Sequence, residues 1–257
     1  MTVRELYAKL DEMIPRALSC DWDNDGLMCC PDGKREVRRV LVALDATDAA
    51  AEAAIRGKYD LILTHHPLIF KGLRSIGDDN YIAAKAIKLL REGIAVMSFH
   101  TRLDALDGGV NDALASAVGL EGVESFYGDG QPIGRVGELS EEMDIESFAK
   151  LVKEVLGAPF VSFSDAGKSV KRVAVVGGSG RDFIFAARAA GADTYLSGEL
   201  GHHPMTDEPD VKGAVNLVEA GHFYTEQPVC QRLCDIVLQI DPQIVCDVFY
   251  SNPIKAI

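Results

Sequence analysis

The sequence predicts an α/β protein of two related lobes, with parallel-rich sheets flanked by helices. Two observations carry this. Short apolar runs alternate with helical patterns along most of the chain, the signature of parallel strands joined by crossover helices. The pattern then recurs at one ungapped offset of 133 residues. Arg39-Val40-Leu41-Val42 matches Arg172-Val173-Ala174-Val175, Ala53-Ala54 matches Ala186-Ala187, and Asp60 to Thr64 matches Asp193 to Ser197. A constant offset through strand, helix and strand points to internal duplication. The length of 257 residues suits one large or two small domains.

The elements follow in order. Thr2 and Glu5 form a capping box, and Leu6, Leu10, Met13 and Ile14 continue at helical spacing until Pro15 limits the helix. Residues 21–27 read as a polar loop with turn chemistry. Val40–Leu44 is a short buried strand, 48–56 an Ala-rich helix, Leu61–Leu63 a second strand, 80–92 a helix and Ile94–Met97 a third strand. The Gly/Pro-rich stretch Tyr127–Gly137 is the expected lobe boundary. Gly177-Gly178-Ser179-Gly180 lies between a strand and a helix; it fits neither dinucleotide nor P-loop spacing and reads as a tight turn. Thr225 is the expected N-cap of a helix carrying Val229, Leu233 and Ile236, with Glu226 in its first turn.

Composition narrows the class. Hydrophobic content is 47% and charged content 25%, ordinary for a globular chain. No apolar run approaches the ~20 residues of a membrane span, and Met1–Leu6 has no secretory apolar core. The net charge of −13 opposes diffuse attraction to nucleic acid or to an anionic membrane. The six cysteines show no C-x-x-C pair, so they are expected as reduced packing residues of a cytoplasmic protein.

The six histidines cluster. His65-His66 follow the second strand. His100 and Asp104 follow the third. His222 and Glu226 lie four residues apart near the C-terminal helix, and His202-His203 follow the second repeat. Carboxyl ends of parallel strands are where sites form. Imidazole and carboxylate without thiolate suit Zn, Fe, Mn, Co or Ni. Adjacent residues at a strand end point in different directions, which makes His65 and His66 awkward as ligands of one ion. They could serve two neighbouring ions joined by Asp104 or Glu226, the paired-ion arrangement common in hydrolases.

At these residues the chain resembles the NIF-three-like dinuclear metal-centre proteins, the GTP cyclohydrolase 1 type 2 family. The resemblance rests on Trp22-Asp23-Asn24-Asp25-Gly26-Leu27, Thr64-His65-His66-Pro67, His100-Thr101 with Leu103-Asp104, and Gly108-Gly109-Val110-Asn111-Asp112. Gly134-Arg135-Val136-Gly137, Ser197-Gly198-Glu199, Gly221-His222 with Thr225-Glu226, and Ser251-Asn252-Pro253 complete it. It runs in order from about residue 5 to 254. It implies two divalent ions per subunit, with His65, His66, Asp104, His222 and Glu226 as ligands. It further implies intertwined lobes, with residues 1–126 and 222–257 forming the metal-binding lobe and 127–221 the second. The implied assembly is a homohexameric toroid. Arg102 stands where the family commonly has Asn.

Two functions of different class follow. The first is a metal-dependent hydrolase acting on a small-molecule substrate, with GTP implied by the family name. His100 and His203 are its candidate proton-transfer groups, and His100 could instead orient the site. The second is a non-enzymatic hexameric metal-binding regulator or scaffold.

Overall fold

The computed structural model describes residues 1–128 and 131–255, and they fall into two compact units. The first comprises Met1–Leu106 and Val229–Pro253. The second comprises Asp107–Pro228, with the tail from Ile254.

The first unit begins with α1 (Val3–Met13), where the Thr2 side chain and Glu5 form the expected reciprocal cap. It continues with β1 (Gly26–Cys29), β2 (Arg39–Ala43), α2 (Asp48–Gly57), β3 (Leu61–Thr64), α3 (Tyr81–Arg91), β4 (Ala95–Ser98) and the short α4 (Thr101–Ala105). In the second unit come α5 (Val110–Ala117), β5 (Glu121–Gly128), β6 (Gln131–Met143), α6 (Ile145–Leu156), β7 (Ser162–Ser164) and β8 (Val170–Ser179). They are followed by α7 (Ile184–Ala189), β9 (Thr194–Glu199), α8 (His202–Asp207), β10 (Asn216–Glu219) and α9 (His222–Glu226). The chain then re-enters the first unit as α10 (Val229–Ile240) and β11 (Val245–Val248).

The first sheet has the order β1-β4-β3-β2-β11, parallel except for the antiparallel edge strand β1. The second has the order β5-β6-β8-β9-β10-β7, with a parallel core of β8, β9 and β10. The central strands β2 and β3 are almost wholly buried, as parallel strands covered by helices on both faces must be.

The 133-residue repeat survives in hydrogen-bonding detail. Val40 pairs with Leu61 in one sheet, and their counterparts Val173 and Thr194 pair in the other. Asp60 accepts from the Arg38 and Arg39 amides at 2.9 and 3.0 Å. Asp193 accepts from the Lys171 and Arg172 amides at 3.0 and 2.7 Å. In both units this carboxylate satisfies amides where the first repeat strand begins, which fixes that strand's start against the next.

Two expectations are corrected. Residues 107–126 and 222–228 belong to the second unit. The reason is packing: Val110 and Leu114 on α5 are buried, and the Gly177 amide on β8 donates to Asn111 on α5 at 2.9 Å. The stretch expected as a boundary is instead flanked by the antiparallel pairing of β5 with β6, where Gly128 faces Gln131. Asp129 and Gly130 within it lie outside the described residues. A Gly/Pro-rich stretch is equally at home inside a domain.

All six cysteines are free thiols. Burial, with Cys30 beside it, pushes the Cys29 thiol up to about 11, the behaviour of a packing residue rather than a reactive one. Among the described residues, no helix is long and apolar enough to cross a membrane.

Candidate metal centre

In the first unit, the ends of β3 and β4 build the site. The Phe99 amide donates to the Thr64 carbonyl at 3.0 Å, joining the two strand ends. The buried Thr64 hydroxyl lies 2.8 Å from both the His66 carbonyl and the Ser98 hydroxyl. The His66 amide in turn donates to Leu44 at 3.0 Å. These bonds fold the chain immediately after β3, so His65 and His66 are no longer on an extended strand.

The rings therefore converge. His65, His66 and His100 each offer a ligand nitrogen, and these nitrogens lie within 4.8 Å of one another. The expectation that adjacent histidines diverge assumed a continuing strand and fails here, because the turn after Thr64 brings both rings together. Their centroids are 4.9 Å apart.

Each ring is aimed by its Nδ1. His65 Nδ1 lies 3.0 Å from the Phe99 carbonyl. A carbonyl only accepts, so Nδ1 carries the proton and Nε2 presents its lone pair. His66 Nδ1 lies 2.9 Å from Asp45 Oδ1. His100 Nδ1 lies 2.9 Å from Asp23 Oδ1. A partner behind the ring that fixes tautomer and orientation is what metal-ligating histidines ordinarily have. Asp104 joins the group through its Oδ1, 3.5 Å from His65 Nε2.

The loop before β1 supplies the support. Asp23 also accepts from the Thr101 amide at 3.0 Å and hydroxyl at 2.7 Å. Burial alone would raise the Asp23 carboxyl, but the bonds from His100 and Thr101 outweigh it and hold the pKa well below the usual carboxylate range. Asp25 accepts from the His100 amide at 3.2 Å and from Arg102 Nε at 2.8 Å. Arg102 is fully buried, also bonds Asp11 and the Ile14 carbonyl, and lies 4.3 Å from the Phe99 ring centroid. Its charge is thus taken up by Asp11 and Asp25.

In the second unit, His222 and Glu226 sit one helical turn apart on α9, with His222 Nε2 3.0 Å from Glu226 Oε2. His222 Nδ1 lies 3.3 Å from Glu199 Oε1 at the end of β9. The end of β8 closes against this pair. A Cβ on Gly178, whose φ is +66°, would fall 2.1 Å from Glu226 Oε1 and 3.1 Å from His222 Nε2. Only glycine combines that backbone angle with that approach. The expected capping role of Thr225 is not what occurs. Thr225 lies buried inside α9, where its hydroxyl accepts from the Gly178 amide at 3.1 Å, and Glu226 is the last residue of α9. The helix predicted to start there begins only after Pro228, at Val229.

His202 and His203 open α8, both exposed, with ring centroids 5.4 Å apart. Among the described residues neither joins a metal-competent group.

The donor set fits a divalent ion. Three tethered imidazoles with a carboxylate alongside, and no thiolate, match the first-row metals expected from the sequence. The carboxylates behind the rings went unassigned at the sequence level. Asp23, behind His100, lies in the Asp-x-Asp of residues 23–25, which reads equally well as turn chemistry, and Asp45, behind His66, stands in no motif read from the sequence.

The fold and these histidine groups define an α/β protein with a candidate metal centre. The chain belongs to the Duf34/NIF3 (NGG1p interacting factor 3) family, whose model matches residues 1–253. A GTP cyclohydrolase 1 type 2 homolog of Clostridium perfringens is 32% identical, over 92% of this chain and 91% of that protein. A protein of the same name from Nostoc sp. is 35% identical, over 84% and 81%. Among solved structures, Staphylococcus aureus hypothetical protein SA1388 superposes with a TM-score of 0.89 at 27% identity, covering 100% of this chain and 99% of that one. Reduced HcgD from Methanocaldococcus jannaschii gives 0.80 at 27% identity, covering 96% and 97%.

Proposed function

We propose that this protein is a metal-dependent hydrolase of GTP cyclohydrolase type 2-like chemistry. In this reading His65, His66, Asp104, His222 and Glu226 hold two divalent ions per chain. The observation that carries it is the convergence of His65, His66 and His100, each with its Nδ1 tied to a carbonyl or carboxylate. A structural site is closed by its ligands, whereas five protein ligands shared by two ions leave positions open.

Divalent ions supply Lewis acidity, which activates water for hydrolysis near neutral pH. The chain's own residues do the rest. Phe99 and Asp45 aim His65 and His66. Asp23 keeps the His100 proton on Nδ1, so His100 Nε2 is left to accept a proton or orient a substrate. Asp25 and Asp23 hold the start of α4, and α4 presents Asp104 to the same space as His65.

Reconstitution followed by elemental analysis should approach two ions per chain, and turnover should be sought on GTP, phosphate esters and cyclic amides. A chain that never exceeds one ion contradicts the dinuclear centre. Full loading with every substrate inert from pH 6 to 9 removes the hydrolase and favours a binding or scaffold role. The assembly proposed with this reading is a homohexamer, so light scattering should give about six times 27.7 kDa. A monomer at micromolar concentration contradicts it.

A further inference from the structure

We propose that Trp22 and Phe70 form a stacking platform that binds a flat, unsaturated ring of the substrate beside His100. The proposal rests on the reading of the histidine group as the reactive end, and it adds the residues that hold the substrate and the requirement that it carry a flat ring.

The geometry is that of a corner. Trp22 and Phe70 ring centroids are 6.0 Å apart at 71°. Trp22 and His100 are 6.2 Å apart at 73°, and Phe70 and His100 are 6.0 Å apart at 84°. The three rings meet edge to face, and Trp22 and Phe70 keep exposed surface beside His100. A flat ring can lie on such an exposed face or meet its edge, the two arrangements that aromatic quadrupoles favour.

The rings are exposed by construction. Trp22 is 63% exposed and Phe70 44%. Yet the backbone beneath them is anchored. The next residue, Asp23, has a buried side chain bonded to His100 and Thr101, and the Asn24 side-chain Nδ2 donates to the Ile69 carbonyl. Two large apolar rings are therefore held in water, against the hydrophobic effect, next to the histidines. His100 itself touches both the ring corner and the histidine group, with centroids 5.2 Å from His65 and 5.6 Å from His66. A ring stacked on the platform places its substituents or its own polar edge toward those nitrogens. A saturated ligand gains none of the face-to-face contact.

Trp22 is the only tryptophan, so its fluorescence reports this corner alone. Metal-loaded protein should be titrated with guanosine, benzamide and cyclohexanecarboxamide, with metal content measured in the same samples. Guanosine and benzamide should change the emission saturably, and cyclohexanecarboxamide, of similar size but saturated, should not. Phe70→Leu should weaken guanosine binding about tenfold. Phe160→Leu, at an exposed phenylalanine of the second unit, should leave it unchanged. No response to either flat ring at normal metal content overturns the platform and leaves the metal centre standing. Saturable stacking in a protein that takes up no metal overturns the metal reading instead. Trp22 emission that shifts with protein concentration in ligand-free samples assigns the corner to a contact between copies and overturns the proposal.

Discussion

Arg102→Ala should destabilise the first unit by about 3–5 kcal/mol, the usual consequence of removing one partner from a buried ion pair. Arg102 and Asp25 side chains are both fully buried, and Nε and Oδ2 are 2.8 Å apart. The guanidinium also bonds Asp11 and the Ile14 carbonyl at 2.6 and 2.8 Å. Alanine would leave the buried Asp25 carboxylate with only the longer ionic contact to Arg16 at 3.7 Å and free the end of α1 from α4. Lysine has one ammonium and no planar fork, so it cannot reproduce the three bonds, and Arg102→Lys should fall between wild type and alanine. Urea unfolding at pH 7 measures both. A loss below about 1 kcal/mol for alanine, the level of a surface ion pair, would show that Arg102 does not hold this junction.

The consequence reaches the site because Asp25 also accepts from the His100 amide. Sequence alone marks Arg102 only as a departure beside a ligand motif. Its partner Asp11 lies 91 residues away on α1, and no local pattern announces a pair at that separation. The same holds for Asp23 with His100. In contrast, α1 was legible residue by residue, because a capping box is a contact between neighbours three apart. The strands β2, β3 and β8 were legible because burial on both faces demands continuous apolar runs, and β9 because the same offset aligns it with β3 and preserves Asp60 as Asp193.

Where the reading failed, tertiary packing overrode local chemistry. Thr225 has the side chain of a cap, but its hydroxyl meets the Gly178 amide, a partner 47 residues away. His65 and His66 have the sequence of a strand end, but Thr64 and Leu44 turn the backbone so that both rings face one space. The polar loop at 21–27 looked like a connector and is the support of α4. In each case the residue types were visible and the long-range partner that decided their role was not.

Asp104→Ala should lose on the order of one of the two proposed ions per chain or more, while Asp107→Ala stays near wild type. Asp104 Oδ1 lies 3.5 Å from His65 Nε2, close enough for both to face one cation. A carboxylate between two cations also offsets their mutual repulsion, so its loss should affect both positions. Asp107 is the matched control. It is an acid three residues on, 96% exposed, and its partner is Arg135 at 3.1 Å. Arg135 is buried but keeps its bond to Asp112 at 2.8 Å when Asp107 is removed, so the change leaves no buried charge unpaired. Both variants should be reconstituted in parallel, with thermal unfolding followed by circular dichroism to confirm that each is folded. Their metal content per chain is then the readout. Folded Asp104→Ala with the same metal content as Asp107→Ala would remove Asp104 from the ligand set and leave the histidines to hold the ions without it.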